Sequence, residues 1–459
     1  MIADLSLAKL ADLYGGIILN GDAEVSSLSI DTRESQIEQT FIAIKGPNFD
    51  GHNFAAEAAK ASAAALVVEV PQRSINAPQW VVEDCVETLG LIGKTCRKSF
   101  KAPVIGITGS NGKTSVKEML ASILQQRGEV LFTKGNYNNH LGVPLMLAEL
   151  SSKHVFAVLE MGASAVGEIA CLADLVQPDV ALVNNVGTAH LEGFGSREAI
   201  VQGKGEIYQS LSDAGRAVVN LDSFGAEEFL HQISAQVLTF SATGNSKADV
   251  RVSDVRVNDA GANYLLHTPI GDIEIQQSLL GINNVSNGAA AATCALSVGM
   301  RLEEIRAGLA EVGQVSGRLF RRRGVRGSRI LDDAYNANPD SMAGAIDVLT
   351  NFGGTRVFVM GAMGELGAGT EQYHRRMGEK SRQAGIDCFI CVGEATKVAA
   401  QAFGSKAIWV DTNEEAAQIC LGLLGPNVSV LVKGSRSAAL EEVVNVITDF
   451  GGQNAVLAN

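Results

Sequence analysis

Val104-Ile-Gly-Ile-Thr-Gly-Ser-Asn-Gly-Lys-Thr-Ser-Val-Lys-Glu-Met-Leu-Ala-Ser-Ile-Leu124 decides how this chain is read. Residues 104–108 form a short β-branched run of the kind that makes a buried strand. A glycine-framed turn follows, Gly109-Ser-Asn-Gly112, and then Lys113-Thr-Ser115. Apolar residues at 116, 119, 120, 123 and 124 recur at helical spacing until Gly128 ends the pattern. Strand, glycine loop, Lys-Thr and helix together make a phosphate cradle. The backbone N–H groups of Gly109, Ser110, Asn111, Gly112 and Ser115 and the helix N-terminus face the anion. Lys113 neutralises outer phosphates, and Thr114 is placed to ligate Mg²⁺. The strict Walker spacing asks for glycine at 107, where this chain has Ile107.

At 459 residues the chain exceeds a single core, and about three domains are expected. With 46% hydrophobic and 19% charged residues it has the composition of an ordinary globular protein. A net charge of −13 argues against non-specific nucleic-acid binding and against a polybasic membrane contact. Met1-Ile-Ala-Asp-Leu-Ser6 has no cationic region followed by an apolar core, so no signal peptide is expected. No apolar run reaches membrane-spanning length. Seven scattered cysteines suggest a reducing compartment and free thiols. Cys388-Phe-Ile-Cys391 lies in an apolar, strand-like run with no second pair nearby, which favours buried structural thiols over a metal site.

Residues 1–83 read as a small α/β unit that opens with a leucine-rich helix. Thr32, Arg33, Lys45 and His52 sit at strand ends and turns, where ligand phosphates could be met; a solvated loop accounts for them equally well. Residues 84–313 form the nucleotide unit, entered through a helix at 85–100. The loop from Thr133 to Pro144, with Asn138 and Asn139, is costly to order without a partner. A strand at 155–159 ends in Glu160, and one at 180–183 leads to His190. Ligand groups collect beyond the carboxyl ends of parallel strands, so both residues fall beside the phosphate loop. A carboxylate opposite Thr114 suits a hard cation. Lys204 is open to a second reading, a lysine on a helix surface. A β-rich stretch at 237–275 precedes an alanine-rich helix, for which Asn283 or Asn284 is the expected N-cap. Residues 314–459 carry strands near 330, 357, 388, 407 and 428 alternating with helices, a doubly wound pattern. Arg321-Arg-Arg323 reads as a solvated turn.

Together these residues resemble the Mur ligases, the ATP-dependent amide ligases of peptidoglycan precursor assembly, over essentially the whole chain. General marks are Thr108-Gly-Ser-Asn-Gly-Lys-Thr114, Asn138-Asn139 with Gly142 and Pro144, Glu160, His190, Asn284 with Asn287, and Gly317-Arg318. Asp31-Thr-Arg33, Asp333-Ala-Tyr-Asn-Ala-Asn-Pro-Asp-Ser341, Met360-Gly-Ala-Met-Gly-Glu-Leu-Gly367 and Lys433-Gly-Ser-Arg436 are similar to marks of one subgroup. Its members join D-alanyl-D-alanine to UDP-N-acetylmuramoyl-tripeptide. Asn283 stands where the family usually has His, which leaves Asn284 as the adenine contact. Ala362 stands where Asp is usual, so no acidic role is carried to it.

The resemblance implies an α/β protein of three domains. Residues 1–83 would hold the UDP-sugar through Thr32, Arg33 and Lys45. Residues 84–313 would be a P-loop domain, a parallel sheet with a smaller β-rich part. Residues 314–459 would be a Rossmann-like domain closing on ATP and the amine. It also implies ATP contacts from Asn284, Asn287, Arg318 and Asp333. Asn138, Asn139, Asn336, Asn338, Lys433 and Arg436 would bind substrate. Lys113, His190 and Lys204 would be catalytic. Thr114, Glu160, His190 and Lys204 would hold Mg²⁺, Lys204 as a carbamate made with CO₂, since a cationic lysine beside a second Mg²⁺ would be strongly repelled. A cytoplasmic monomer is expected, with no nucleic-acid partner. Two rivals stand beside this reading. One is a sister ligase that adds a third-position diamino acid, although its Asp-Asn-Pro-Arg loop is absent here. The other is a P-loop ATPase that ligates nothing.

Overall fold

Runs of buried β-branched residues pair where helices can cover both faces, and this chain does so three times. The computed structural model describes residues 1–448 and contains sheets of five, nine and six strands. Residues 449–459, the end of the third unit, lie outside the described residues.

The first sheet runs from Ile17–Leu19 through Gln79–Val81, Ala65–Val68 and Thr40–Ile42 to Leu28–Ser29. The helix Cys85–Ser99 starts at Asp84, whose Oδ1 accepts the N–H groups of Val86 and Glu87 at 2.7 and 2.9 Å. Its buried face, Cys85, Leu89, Ile92 and Cys96, shares a core with Leu5, Leu7, Leu10 and Trp80. On another face, a Cβ added at Gly93 would lie 2.9 Å from the Cα of Pro144. This helix therefore joins the first layer to the second.

In the second sheet Val104–Thr108 lies between His154–Glu160 and Val180–Val183, parallel to both and wholly buried. Ile107 explains the departure from the Walker spacing. It sits within this strand and belongs to the core that includes Val116 and Leu120 of the next helix. The β-rich stretch is not a separate unit. Val250–Val257 extends the same nine-stranded sheet parallel to Gln236–Ser241, and Ala262–Thr268 and Gly271–Gln277 continue it antiparallel. The helix Ile282–Ser297 buries Ala289, Ala290, Ala291 and Ala292 against it. Its N-cap is Gly281 at φ +86°, not Asn283 or Asn284. A Cβ at 281 would meet Val348 at 2.5 Å, and the Asn284 amide donates back to the Leu280 carbonyl at 2.9 Å.

The third sheet has the order Phe320–Arg323, Arg329–Asp333, Val428–Lys433, Thr355–Met360, Cys388–Val392, Ala407–Val410. Only the first pair is antiparallel. The arginine run is thus an edge strand and not a turn, held in part by Arg322 Nε on Asp332 at 3.0 Å. All seven cysteines are free, and Cys391 is buried within its strand. Among the described residues no helix is long and apolar enough to cross a membrane.

Candidate active site

Two asparagines beyond Val180–Val183 hold the phosphate loop from behind. The Ser110 N–H donates to the Asn185 carbonyl at 2.9 Å, and the Asn111 N–H to Asn185 Oδ1 at 2.8 Å. Both side-chain amides, of Asn184 and Asn185, donate to the Asn111 carbonyl. Gly112 takes φ +77°, and a Cβ there would lie 2.3 Å from Asn287 Oδ1, so only glycine fits. The helix Lys113–Leu124 starts with no side-chain cap, which leaves its first-turn N–H groups for an anion. Lys113 Nζ reaches back to the Gly109 carbonyl at 2.9 Å. Burial lowers its pKa and Arg318 adds to the effect, while Glu160 opposes it.

Glu160 is buried at the end of its strand. Thr114 Oγ1 donates to its Oε2 at 3.0 Å, and Asn138 Nδ2 to its Oε1 at 2.8 Å. Its own N–H donates to Thr133 Oγ1. The oxygens of Glu160 and Thr114 are hard donors that fit a divalent cation such as Mg²⁺. His190 shares a cleft of about 310 Å³ with them and with Lys113, Arg318 and Arg436. Burial lowers the pKa of its imidazole; Lys113 and Lys204 push the same way, and Glu365 opposes them.

Lys204 is not on a surface. It is 1% exposed, on the helix Arg197–Gln209, with its Nζ 5.4 Å from the centre of the Phe194 ring. Burial first, then Lys113, pushes its pKa down to about 7. The fall from the ordinary 10.5 amounts to roughly 5 kcal/mol against the cation. Among the described residues no three His, Cys, Asp or Glu side chains converge as a metal site.

A larger lobe of about 740 Å³ shares Asn111, Gly112, Thr114 and Arg318 with the first. It continues past Asn284 and Asn287 to Asp222 and Phe224. The third sheet supplies its other wall. Arg318 Nη2 donates to Thr114 Oγ1 at 3.4 Å, and its guanidinium lies 4.5 Å from the centre of the Tyr335 ring. Asp333 and Lys433 form a buried ion pair at 2.7 Å. The Leu319 N–H donates to Asp333, and Lys433 donates to the Asn336 carbonyl. Burial raises the pKa of Asp333 and lowers that of Lys433, each offset by the other charge.

Several of the expected substrate groups have local partners. Asn139 Oδ1 accepts the N–H groups of Leu141 and Gly142. Asn338 N-caps the helix Pro339–Thr350 and donates to Asn111 Oδ1 at 2.6 Å, which ties the two layers together. Asn336 Oδ1 accepts the Ala337 N–H. Arg436 pairs with Glu441 at 2.9 Å and is largely exposed at the mouth of the smaller lobe.

Thr32, Arg33 and Lys45 are outside this cleft. Arg33 is exposed and paired with Asp31 at 2.6 Å. Their turn approaches the 133–144 loop, because Asp31 and Glu34 add to the burial that raises the pKa of Tyr137. His52 is held at both ring nitrogens, by Asp50 and by the Glu69 N–H. Sequence reasoning missed Asn184 and Asn185, although consecutive amides at a strand end were a visible signal. Asp340 and Glu365 lie inside the subgroup motifs quoted above, but neither was given a role. Asp340 Oδ2 accepts the N–H and hydroxyl of Thr188 at 3.0 and 3.2 Å.

An open helix start on a glycine loop, a buried carboxylate at the next strand end and an arginine from a second α/β layer define a P-loop protein closed by a Rossmann-like domain. Comparison with known proteins narrows the class. The Mur ligase middle domain matches residues 107–295, and the Mur ligase, glutamate ligase domain matches residues 317–436. The UDP-N-acetylmuramoyl-tripeptide--D-alanyl-D-alanine ligase of Escherichia coli (strain K12) is 38% identical over 448 residues, 97% of this chain and 99% of that one. A crystal structure of MurF from Acinetobacter baumannii superposes with a TM-score of 0.90 at 34% identity, covering 97% and 98% of the two chains. The structure of MurF ligase from Thermotoga maritima in complex with ADP gives 0.81 at 29% identity, covering 92% and 97%. The chain belongs to the Mur ligase family.

Proposed function

We propose that this chain is an ATP-dependent amide ligase that joins D-alanyl-D-alanine to the terminal carboxyl group of UDP-N-acetylmuramoyl-tripeptide, as a cytoplasmic monomer in peptidoglycan precursor assembly. The seating of Arg318 on Thr114 of the phosphate loop carries the reading, in a chain similar over 97% of its length to a ligase of that name. Residues 1–83 take the UDP end near Thr32, Arg33 and Lys45. Residues 84–313 take ATP, and residues 314–459 close over it and bring the dipeptide.

The adenosine occupies the larger lobe beside Asn284 and Asn287, with the phosphates at the open helix start. A carboxylate oxygen of the tripeptide attacks the γ-phosphorus, the bond to the β,γ-bridging oxygen breaks, and ADP leaves an acyl phosphate. The free amine of the dipeptide then attacks the acyl carbon. The tetrahedral adduct expels phosphate, and the amine proton is released. Both steps need neutralisation of charge more than covalent help. Lys113 and Arg318 supply cations from opposite walls, and the uncapped N–H groups hold phosphate oxygens.

Thr114 and Glu160 would hold one Mg²⁺, with His190 and Lys204 at a second position. Bound there, the ion neutralises phosphate charge and orients the reacting oxygens. Lys204 serves as its carbamate. The free amine, favoured by burial, forms an N–C bond with CO₂ and releases a proton, so an anion replaces a cation beside Lys113.

The test is the mass of the product formed with ATP from each acceptor and amine pair. UDP-N-acetylmuramoyl-tripeptide with D-alanyl-D-alanine should give one new amide and one ADP. Product only from a dipeptide acceptor with a diamino acid would replace this reading by the sister ligase. ATP hydrolysis with no amide would overturn both.

A further inference from the structure

His190 and Glu365 meet across the boundary between the second and third sheets, and both hold conformations that side chains rarely adopt. Their φ angles are +58° and +59°. Strain of this kind persists only where surrounding structure over-determines it. The carboxylate of Glu365 pairs with Nδ1 of His190, and the Glu365 carbonyl accepts the Glu192 N–H at 3.3 Å. The Glu365 loop is itself tied down. The Gly361 N–H donates to the Lys433 carbonyl at 2.9 Å, and the Ala362 carbonyl accepts the Ser435 N–H at 2.8 Å. The Met363 N–H donates to Nε2 of His374 at 3.0 Å, while Nδ1 of that buried ring lies 2.7 Å from the Thr370 carbonyl. His374 therefore carries its proton on Nδ1 and anchors the loop as an acceptor.

We infer that Glu365 is a positioning residue that reaches His190 only when the third sheet's domain is closed, fixing the imidazole with its proton on Nδ1 and Nε2 free as a ligand. A carboxylate on the far nitrogen of a metal-bound histidine sets the tautomer, turns the ring and strengthens the ligand. Here that carboxylate belongs to the opposing domain, so domain closure and completion of the metal-binding group become one event. The inference rests on the reading of His190 as a metal ligand, and the controls separate the two.

The experiment compares wild type, Glu365→Ala, Glu365→Gln and His190→Ala in the presence of ADP and acceptor. Mn²⁺ affinity is read by electron paramagnetic resonance, and the His190 tautomer by NMR of ¹⁵N-histidine-labelled protein, with His190→Ala assigning the signal. Glu365→Ala should weaken Mn²⁺ binding by about ten- to hundredfold and shift His190 away from the Nδ1–H form. Glu365→Gln, which still offers an oxygen to Nδ1–H, should restore most of both. If His190→Ala weakens Mn²⁺ binding and Glu365→Ala does not, the inference is overturned while the ligand reading survives. If His190→Ala leaves Mn²⁺ binding unchanged, the ligand reading fails and takes the inference with it. Altered compaction in Glu365→Ala with an unchanged tautomer would reduce Glu365 to a clamp and overturn it too.

Discussion

The phosphate loop and the wall that faces it close the same cleft from opposite sides, yet they are made differently. Gly109 to Ser115 are consecutive, and their shape comes from backbone: a glycine at φ +77°, an uncapped helix start and a strand buried throughout. The facing wall draws Asp333, the Glu365 loop and Lys433 from the ends of three strands. Those strands, Arg329–Asp333, Val428–Lys433 and Thr355–Met360, are distant in sequence but adjacent in the sheet. The loop is a preformed anion site whose side chains can be changed one at a time. The wall is held by pairs, so losing one partner strands the other.

Lys433→Met should therefore have the largest effect on stability, because it leaves Asp333 buried and uncompensated. A loss of about 3–5 kcal/mol is expected. Hydrogen exchange should place that loss in residues 320–447, with the helix Lys113–Leu124 still protected. Equal loss in both regions would mean that the two sides fold as one unit and that the contrast is false.

Lys113→Ala should leave the melting temperature nearly unchanged and lower turnover at saturating ATP by at least ~10²-fold, the scale for removing one stabiliser of developing charge. Near-wild-type turnover would remove the phosphate-cradle assignment.

Lys204→Met sharpens the comparison from the other direction. A lysine buried with its pKa pulled down to about 7 destabilises the fold most where the unfolded chain is protonated and the folded one resists the charge. Stability of the unmodified protein should rise as pH climbs from about 7 to 10.5. In CO₂-depleted buffer the methionine variant should be more stable by roughly 4 kcal/mol near pH 7, with most of the advantage gone near pH 10.5. Bicarbonate should stabilise the wild type alone. Lys204→Ala should be almost inactive, and short carboxylic acids, which fit the position its shortened side chain vacates, should restore part of its turnover. Activity rescued by amines and not by acids would sink the carbamate.

Much of the fold was legible because periodicity and turn chemistry are local. The strand Val104–Thr108, the open helix after Gly112, the buried thiol of Cys391 (Cys388 is only half-buried) and the alternation of the third sheet could all be read directly. Legibility failed where a partner was remote. Arg321 to Arg323 look like a solvated turn until Arg329–Asp333 pairs with them. Asn283 and Asn284 look like caps until Val348, from the third domain, leaves room only for Gly281. The asparagines of the site were visible as polar loop residues, but whether an amide meets a substrate or a neighbouring N–H depends on the loop's path. Asn139 and Asn338 both cap their own chain.

By itself the sequence determined the anion-binding loop, the order of helices and strands, and the family, because contiguous residues encode backbone geometry and a full set of spaced motifs is hard to reach by chance. Tertiary structure alone decided that Lys204 is buried beside Lys113, that Lys433 faces Asp333, and that Glu365 meets His190. Each depends on which helix face turns inward, which strands lie side by side, and where one domain rests on another. Charge interactions fall with distance in space and take no account of separation along the chain.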